Sequence, residues 1–212
     1  GLVVADTSRS IVRRALEGMK FERLEIMSPQ RFDSLAMQTG GAAGASFDNY
    51  DVLVLDNYQS TVMPPARYLT FGPTPPIEGL NEFGEGASQI VLSAKTDHPV
   101  LRFVNYDNLF ISKFKLLQPA PDVQVLFEGS RGPAMVAISR GPMQLIHCTF
   151  DPLESNWPFQ RSFVTFIFNA VEYLGNAGEA LTSRSLVPGE AITARLPASA
   201  TDIELITPES ST

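Results

Sequence analysis

The chain has 212 residues, is 44% hydrophobic and only 18% charged, which suits one sizeable core and not a disordered or coiled-coil chain. A formal net charge of −7, with no run of Lys or Arg, argues against a nucleic-acid partner. One cysteine, Cys148, excludes an internal disulfide framework and a cysteine-rich zinc site, and no apolar stretch reaches the ~20 residues that span a bilayer.

No signal-peptide pattern is present, and the chain opens Gly1-Leu2-Val3-Val4 directly inside a strand-like run. It is therefore expected to be a piece of a longer protein. "LVVADTSRSIVRRALEGM" reads as strand, turn and helix, with Ser8 or Ser10 as cap and Ile11, Ala15 and Leu16 as the apolar stripe. "FERLEIMSP" is a second strand and "RFDSLAMQ" a short helix, followed by the glycine-rich "TGGAAGASFDN". The clearest strand is "YDVLVLD", Tyr50 to Asp56, while the short apolar run Leu2 to Ala5 suits a sheet buried on both faces.

"ARYLTFGPTPP" is a short strand that runs into a rigid proline loop. "QIVLSA" and "LFISKFKLL" are strand-like within a less legible middle. "VQVLFEG", "PAMVAISR" and "MQLIHCTF" follow with glycine turns between them, as a set of adjacent strands. From Pro158, the residues Phe159, Phe163, Phe166, Ile167, Ala170, Val171 and Leu174 recur at helical spacing, and Gly175-Asn176 supplies a stop. "LVPGEAITARLPASATDIELITP" alternates like a β segment. Strands alternating with helices early, and strands in series later, predict an α/β fold with a mainly parallel sheet.

Cys148 stands beside His147, but neighbours on a strand point to opposite faces, so the pair cannot form the hydrogen bond that activates a thiol. The thiol reads as a small buried hydrophobe. His98, in "TDHPV", reads as a turn residue ahead of Pro99. No HExxH or GxSxG motif occurs. "TGGAAGAS" precedes a strand, the wrong polarity for a phosphate loop, whose anion sits on amides at a helix start.

"DTSRS" is the sharpest candidate. Asp6, Ser8 and Ser10 follow a strand and open a helix, matching the DxSxS signature of metal-ion-dependent adhesion sites, where hydroxyls and a carboxylate hold a hard cation, usually Mg²⁺. Asp56, at the end of its strand, could supply the further carboxylate. Ordinary helix capping explains the same residues. In "FDPLESNWPFQRSF", Asp151, Glu154 and Asn156 lie at a strand end, where α/β sites gather. Trp157-Pro158-Phe159 reads instead as a packing corner that seats the last helix, with Ser155 or Asn156 as cap.

The order "YDVLVLDNYQ…MPPARYLTFGPTPP", "DHPVLRFVNYDNLFI" and "GPAMVAISRGPMQLIHCTFDPLESNWPFQRSFVTFIFNAVEYL" resembles the class I glutamine amidotransferase-like domain of aerotolerance-type bacterial membrane proteins. Those combine a membrane anchor, a von Willebrand factor A domain and this domain. The resemblance implies a flavodoxin-like three-layer sandwich over 1–178, with a β-rich extension or following module at 179–212. At the junction comparable to the amidotransferase nucleophile, Phe71-Gly72-Pro73 offers none, so no catalytic residue is carried over. It also implies an extracytoplasmic setting, with the other domains of the anchored chain and envelope proteins as partners, and no cofactor. The expected function is a non-catalytic scaffold. The alternative is a divalent-metal-dependent binding module on Asp6, Ser8, Ser10 and Asp56, with Mg²⁺, or a degenerate amidase.

Overall fold

Short apolar runs form five neighbouring parallel strands: β1 (Leu2–Ala5), β2 (Glu25–Met27), β3 (Leu53–Asp56), β4 (Arg67–Phe71) and β9 (Met143–Cys148). The computed structural model describes residues 1–5, 10–39, 47 and 49–176, with the backbone alone for 2–5 and 38–39. The sheet continues from β9 through antiparallel strands β8 (Gly132–Arg140), β7 (Gln124–Gly129), β5 (Leu80–Ala94) and β6 (Phe110–Pro119). Its full order is β2-β1-β3-β4-β9-β8-β7-β5-β6.

This corrects the expected flavodoxin-like sandwich with a mainly parallel sheet. Parallel neighbours need long crossovers, usually helical. Here α1 (Ile11–Glu17) joins β1 to β2 and α2 (Pro29–Thr39) lies between β2 and β3. The passage from β4 to β9, however, is filled by the four antiparallel strands β5 to β8. The middle that was hardest to read is thus one long ribbon. "QIVLSA" lies within the 15-residue β5, which pairs along most of its length with β6.

The sheet also curls strongly, as a half-barrel. The outer side of β6 returns to the segment that follows β9: Lys115 N–H donates to the Thr149 carbonyl at 2.7 Å and Asn156 N–H to the Phe110 carbonyl at 3.1 Å. Ile111 and Ser155 form an antiparallel bridge between them. Gly86, opposite Phe114, permits close packing in this ribbon, since a Cβ there would stand 2.3 Å from the Phe114 ring.

Strand alternation divides the core. Val54, Leu69, Phe71, Ile146 and Cys148 face α1 and the last helix, α3 (Arg161–Gly175), through Leu16, Phe163, Phe166 and Leu174. Leu53, Leu55, Tyr68 and Leu145 face α2 through Phe32 and Ala36. The helix expected from Pro158 begins later, at Arg161, after a 3-10 turn at Trp157–Phe159. Gln160 is extended, with φ −101° and ψ 140°, which separates turn from helix and leaves Phe159 92% exposed, outside the predicted stripe.

Gly1–Gly175 forms one compact unit. The expected β extension at 179–212 and the glycine-rich residues 40–46 lie outside the described residues.

Candidate functional site

Three parallel strands end side by side, and the backbone at their carboxyl ends is tightly tied. Gly72, just past β4, donates its N–H to the Cys148 and Phe150 carbonyls at 3.0 and 3.1 Å. Its φ is +82°, and a Cβ at this position would lie 2.6 Å from Asn57 Oδ1. Asn57, just past β3, is itself left-handed at φ 50° and donates its N–H to the Phe71 carbonyl. A side chain after β4 is therefore opposed twice, by conformation and by space. Glycine at the junction just past β4 has a local structural reason.

In open sheets, ligands gather at the carboxyl ends where strand order reverses. The reversal falls at β1, flanked by β2 on one side and β3 on the other. Asp56 closes β3 beside it, and Ser10 caps α1 by accepting the Arg13 N–H at 2.8 Å. The Ser10 hydroxyl also lies near the Asp56 carboxyl. Asp56 is 8% exposed. Burial pushes its carboxyl up to about 6, the nearby Ser10 hydroxyl opposes the shift, and the negative charge of Asp151 adds to it. The structure thus brings Ser10 and Asp56 together; Asp6 and Ser8 lie outside the described residues. Among the described residues, no group of three or more His, Cys, Asp or Glu is arranged to hold a metal.

Asp151 follows β9 and opens a 3-10 turn, Pro152–Glu154, by accepting the Leu153 N–H at 2.9 Å. Burial raises its carboxyl, which this bond counters and Glu154 reinforces. Glu154 accepts the Ser112 hydroxyl at 2.6 Å. Together with Asn57, Gly72, Lys113 and Lys115, these two carboxylates line a cleft of about 250 Å³ under the β5–β6 ribbon. Lys115 is paired with Glu85 at 2.7 Å and Glu82 at 3.2 Å, and the Glu85 bond leads in raising its ammonium. Lys113 is exposed and forms no ion pair among the described residues. Sequence reasoning placed Asp151 and Glu154 at a strand end but read the segment as a corner. It missed both lysines, because nothing local shows that β6 folds back over β9.

The two histidines and the thiol lie elsewhere. Cys148 is fully buried, and burial pushes its thiol well up. His147 points to the other face, where Nδ1 and the Thr70 hydroxyl share a 2.9 Å hydrogen bond. Burial drives its imidazole down to about 3, and Nε2 has no hydrogen-bond partner among the described residues. His98 caps a 3-10 turn, Pro99–Leu101, with Nδ1 accepting the Val100 N–H at 3.3 Å. Its ring packs on Tyr173 at 4.9 Å.

Fold and site together define an α/β domain with a curled mixed sheet and a polar cleft at the ends of its parallel strands. No family model matches the chain, and neither does any curated protein. Among solved structures it is similar to a cytoplasmic protein of Salmonella typhimurium LT2, at 9% identity and TM-score 0.59, over 82% of this chain and 98% of that one. A second Salmonella typhimurium cytoplasmic protein aligns at 10% identity and TM-score 0.58, over 81% and 97%. A Parabacteroides merdae protein described as ThuA-like aligns at 12% identity and TM-score 0.56, over 83% and 89%.

At such identities the likeness is one of fold. It overturns the resemblance to the amidotransferase-like, von Willebrand-associated aerotolerance proteins: the similar structures are of another kind. The extracytoplasmic, membrane-anchored setting is corrected as well. The two Salmonella proteins are named cytoplasmic, and no described helix is long and apolar enough to cross a membrane.

Proposed function

We propose that the domain is a non-catalytic interaction module that binds a partner protein. One observation carries the reading: the sole cysteine is sealed in the core, on the face opposite its neighbouring histidine, while glycine occupies the strand-end junction. A thiol held protonated by burial is a poor nucleophile. Exposed aromatic side chains support an interaction role: Phe159 is 92% and Phe103 83% exposed, well beyond what core packing requires. The test is turnover of glutamine and of chromogenic esters and amides by the whole chain. The reading expects rates at buffer background. Turnover abolished by one substitution, such as Asp56→Asn or Cys148→Ala, would overturn it.

A second reading is favoured by the Ser10–Asp56 contact: a divalent-cation module completed by Asp6 and Ser8. Asp56 is a buried carboxyl with a hydroxyl beside it, and hard cations bind such oxygens. Calorimetry with Mg²⁺, Mn²⁺ and Ca²⁺ on the native chain and on Asp56→Ala tests it. Heat at dilution level for all three ions removes this reading.

A further inference from the structure

We infer that α3 is the contact helix of a homodimer, its outer face packed antiparallel against α3 of a second copy of this chain. This names a partner for the interaction reading and rests on it in taking exposed apolar side chains as contact residues. The composition of the face is the first ground. The outward side of a surface helix is ordinarily polar. On α3, Val164 and Phe168 stand there, each 52% exposed. Phe103 flanks them at 83% exposure, beside the point where Asn169 Nδ2 donates to the Arg102 carbonyl at 2.7 Å. The loop holds this ring at φ 60°, a left-handed backbone that is costly for a bulky residue.

Symmetry and charge supply the second ground, and they identify the occupant. Arg161, Thr165, Phe168 and Glu172 follow one another at spacings of four, three and four residues, so they form one helical stripe that reads alike in both directions. Two such stripes, antiparallel about a twofold axis between Phe166 and Ile167, set Arg161 against Glu172 at both ends and Thr165 against Phe168 in the middle. Thr165 turns its hydroxyl onto the Arg161 carbonyl at 3.4 Å, which leaves its methyl for that contact. Within one chain the two charges stand about 16 Å apart along the helix, too far to pair. Each also sits at the wrong end of its own helix dipole, a cation in the first turn and an anion in the last. An antiparallel second helix brings its C-terminus to Arg161 and its N-terminus to Glu172, which offsets both penalties.

The experiment is sedimentation velocity of the whole chain over a range of micromolar concentrations. Expected is a reversible shift from the 23.1 kDa of one chain toward twice that mass. Phe168→Glu weakens the dimer roughly tenfold or more, while Leu92→Glu, at a comparably exposed residue of β5, leaves it unchanged. Arg161→Glu and Glu172→Arg each weaken self-association, because both ends of the pair then carry like charges. Mixed, these two variants associate with each other at close to native strength, since each end regains one cation and one anion. Should Phe168→Glu fail to fold by circular dichroism, the charge mixture, altered only at exposed positions, decides alone. A chain that stays monomeric throughout overturns the inference, whatever other segment or protein covers the stripe. So does a dimer indifferent to Phe168→Glu, an equal weakening by Leu92→Glu, or a mixture of charge variants that stays as weak as its components. Substrate turnover defeats the non-catalytic reading and leaves the dimer standing; monomers without turnover defeat this inference alone.

Discussion

Trp157 packs on Phe166 with ring centroids 4.7 Å apart and planes inclined by 32°. The same indole meets Phe163 at 5.5 Å, Phe127 at 5.6 Å and Phe150 at 6.1 Å, and its N–H donates to the Ser162 hydroxyl at 3.3 Å. One side chain thus joins the β7 strand, the segment after β9 and α3. Trp157→Ala is expected to cost about 3–5 kcal/mol, measured as a lowered denaturant midpoint at unchanged slope. A loss under 1 kcal/mol would show that the corner is not a keystone.

Gly72→Ala should destabilise by roughly 1–3 kcal/mol, because it meets both the left-handed backbone and the Asn57 carboxamide. Adding Asn57→Gly should restore part of that loss, since the obstruction leaves and the conformational cost stays. A double-mutant cycle reads the coupling, and strict additivity would refute the contact.

Asp56 makes stability fall as pH rises. Its folded carboxyl, at about 6, lies above the ordinary value of 3.8, so the folded chain holds the proton more tightly. The associated stability is whole below pH 4 and is lost as pH climbs through 6. The loss is on the order of 3 kcal/mol, an upper figure. Asp56→Asn, which cannot ionise, should be more stable than the native chain at pH 7 and equal to it near pH 3.5. Parallel stability–pH curves for the two proteins would contradict this.

His147 acts in the opposite sense. Its folded value, about 3, lies below the ordinary 6.5, so its contribution is intact above pH 6.5 and drains away as pH falls toward 3. Imidazole ¹⁵N shifts of the folded chain should report a neutral ring at pH 5, and protonation there would be decisive against it.

Cys148 should resist a disulfide-exchange reagent in the native chain and react at the rate of a free thiol once denaturant unfolds it. Fast labelling of the folded protein would undo the central support for a non-catalytic role.

What could be read from residues alone followed the range of the interactions. "YDVLVLD" was legible as a strand from its unbroken apolar run, and the structure buries all of Leu53–Asp56. The stripe Phe163, Phe166, Ile167, Ala170, Leu174 gave α3 by the same logic. Phe159 misled, because one extended residue, Gln160, breaks a period that composition continues. Strand existence in the β5–β9 region was visible, but pairing direction is set by tertiary partners, so a parallel sheet was assigned where hairpins stand. The cleft was half visible. Asp56, Asp151 and Glu154 mark strand ends, whereas Lys113 and Lys115 arrive from a strand nearly forty residues earlier by way of a curl with no local signature.

Returning β6 to the loop beyond β9 has a bearing on how the protein behaves when concentrated. A ten-residue border strand would normally offer a row of unmet amides and carbonyls on which a neighbouring molecule could template. Here the leading half of that border is capped by Thr149, Ser155 and Asn156, and the opposite border, β2, spans just three residues. Severing that cap, rather than loosening the interior, is the direct route to fibrous aggregates.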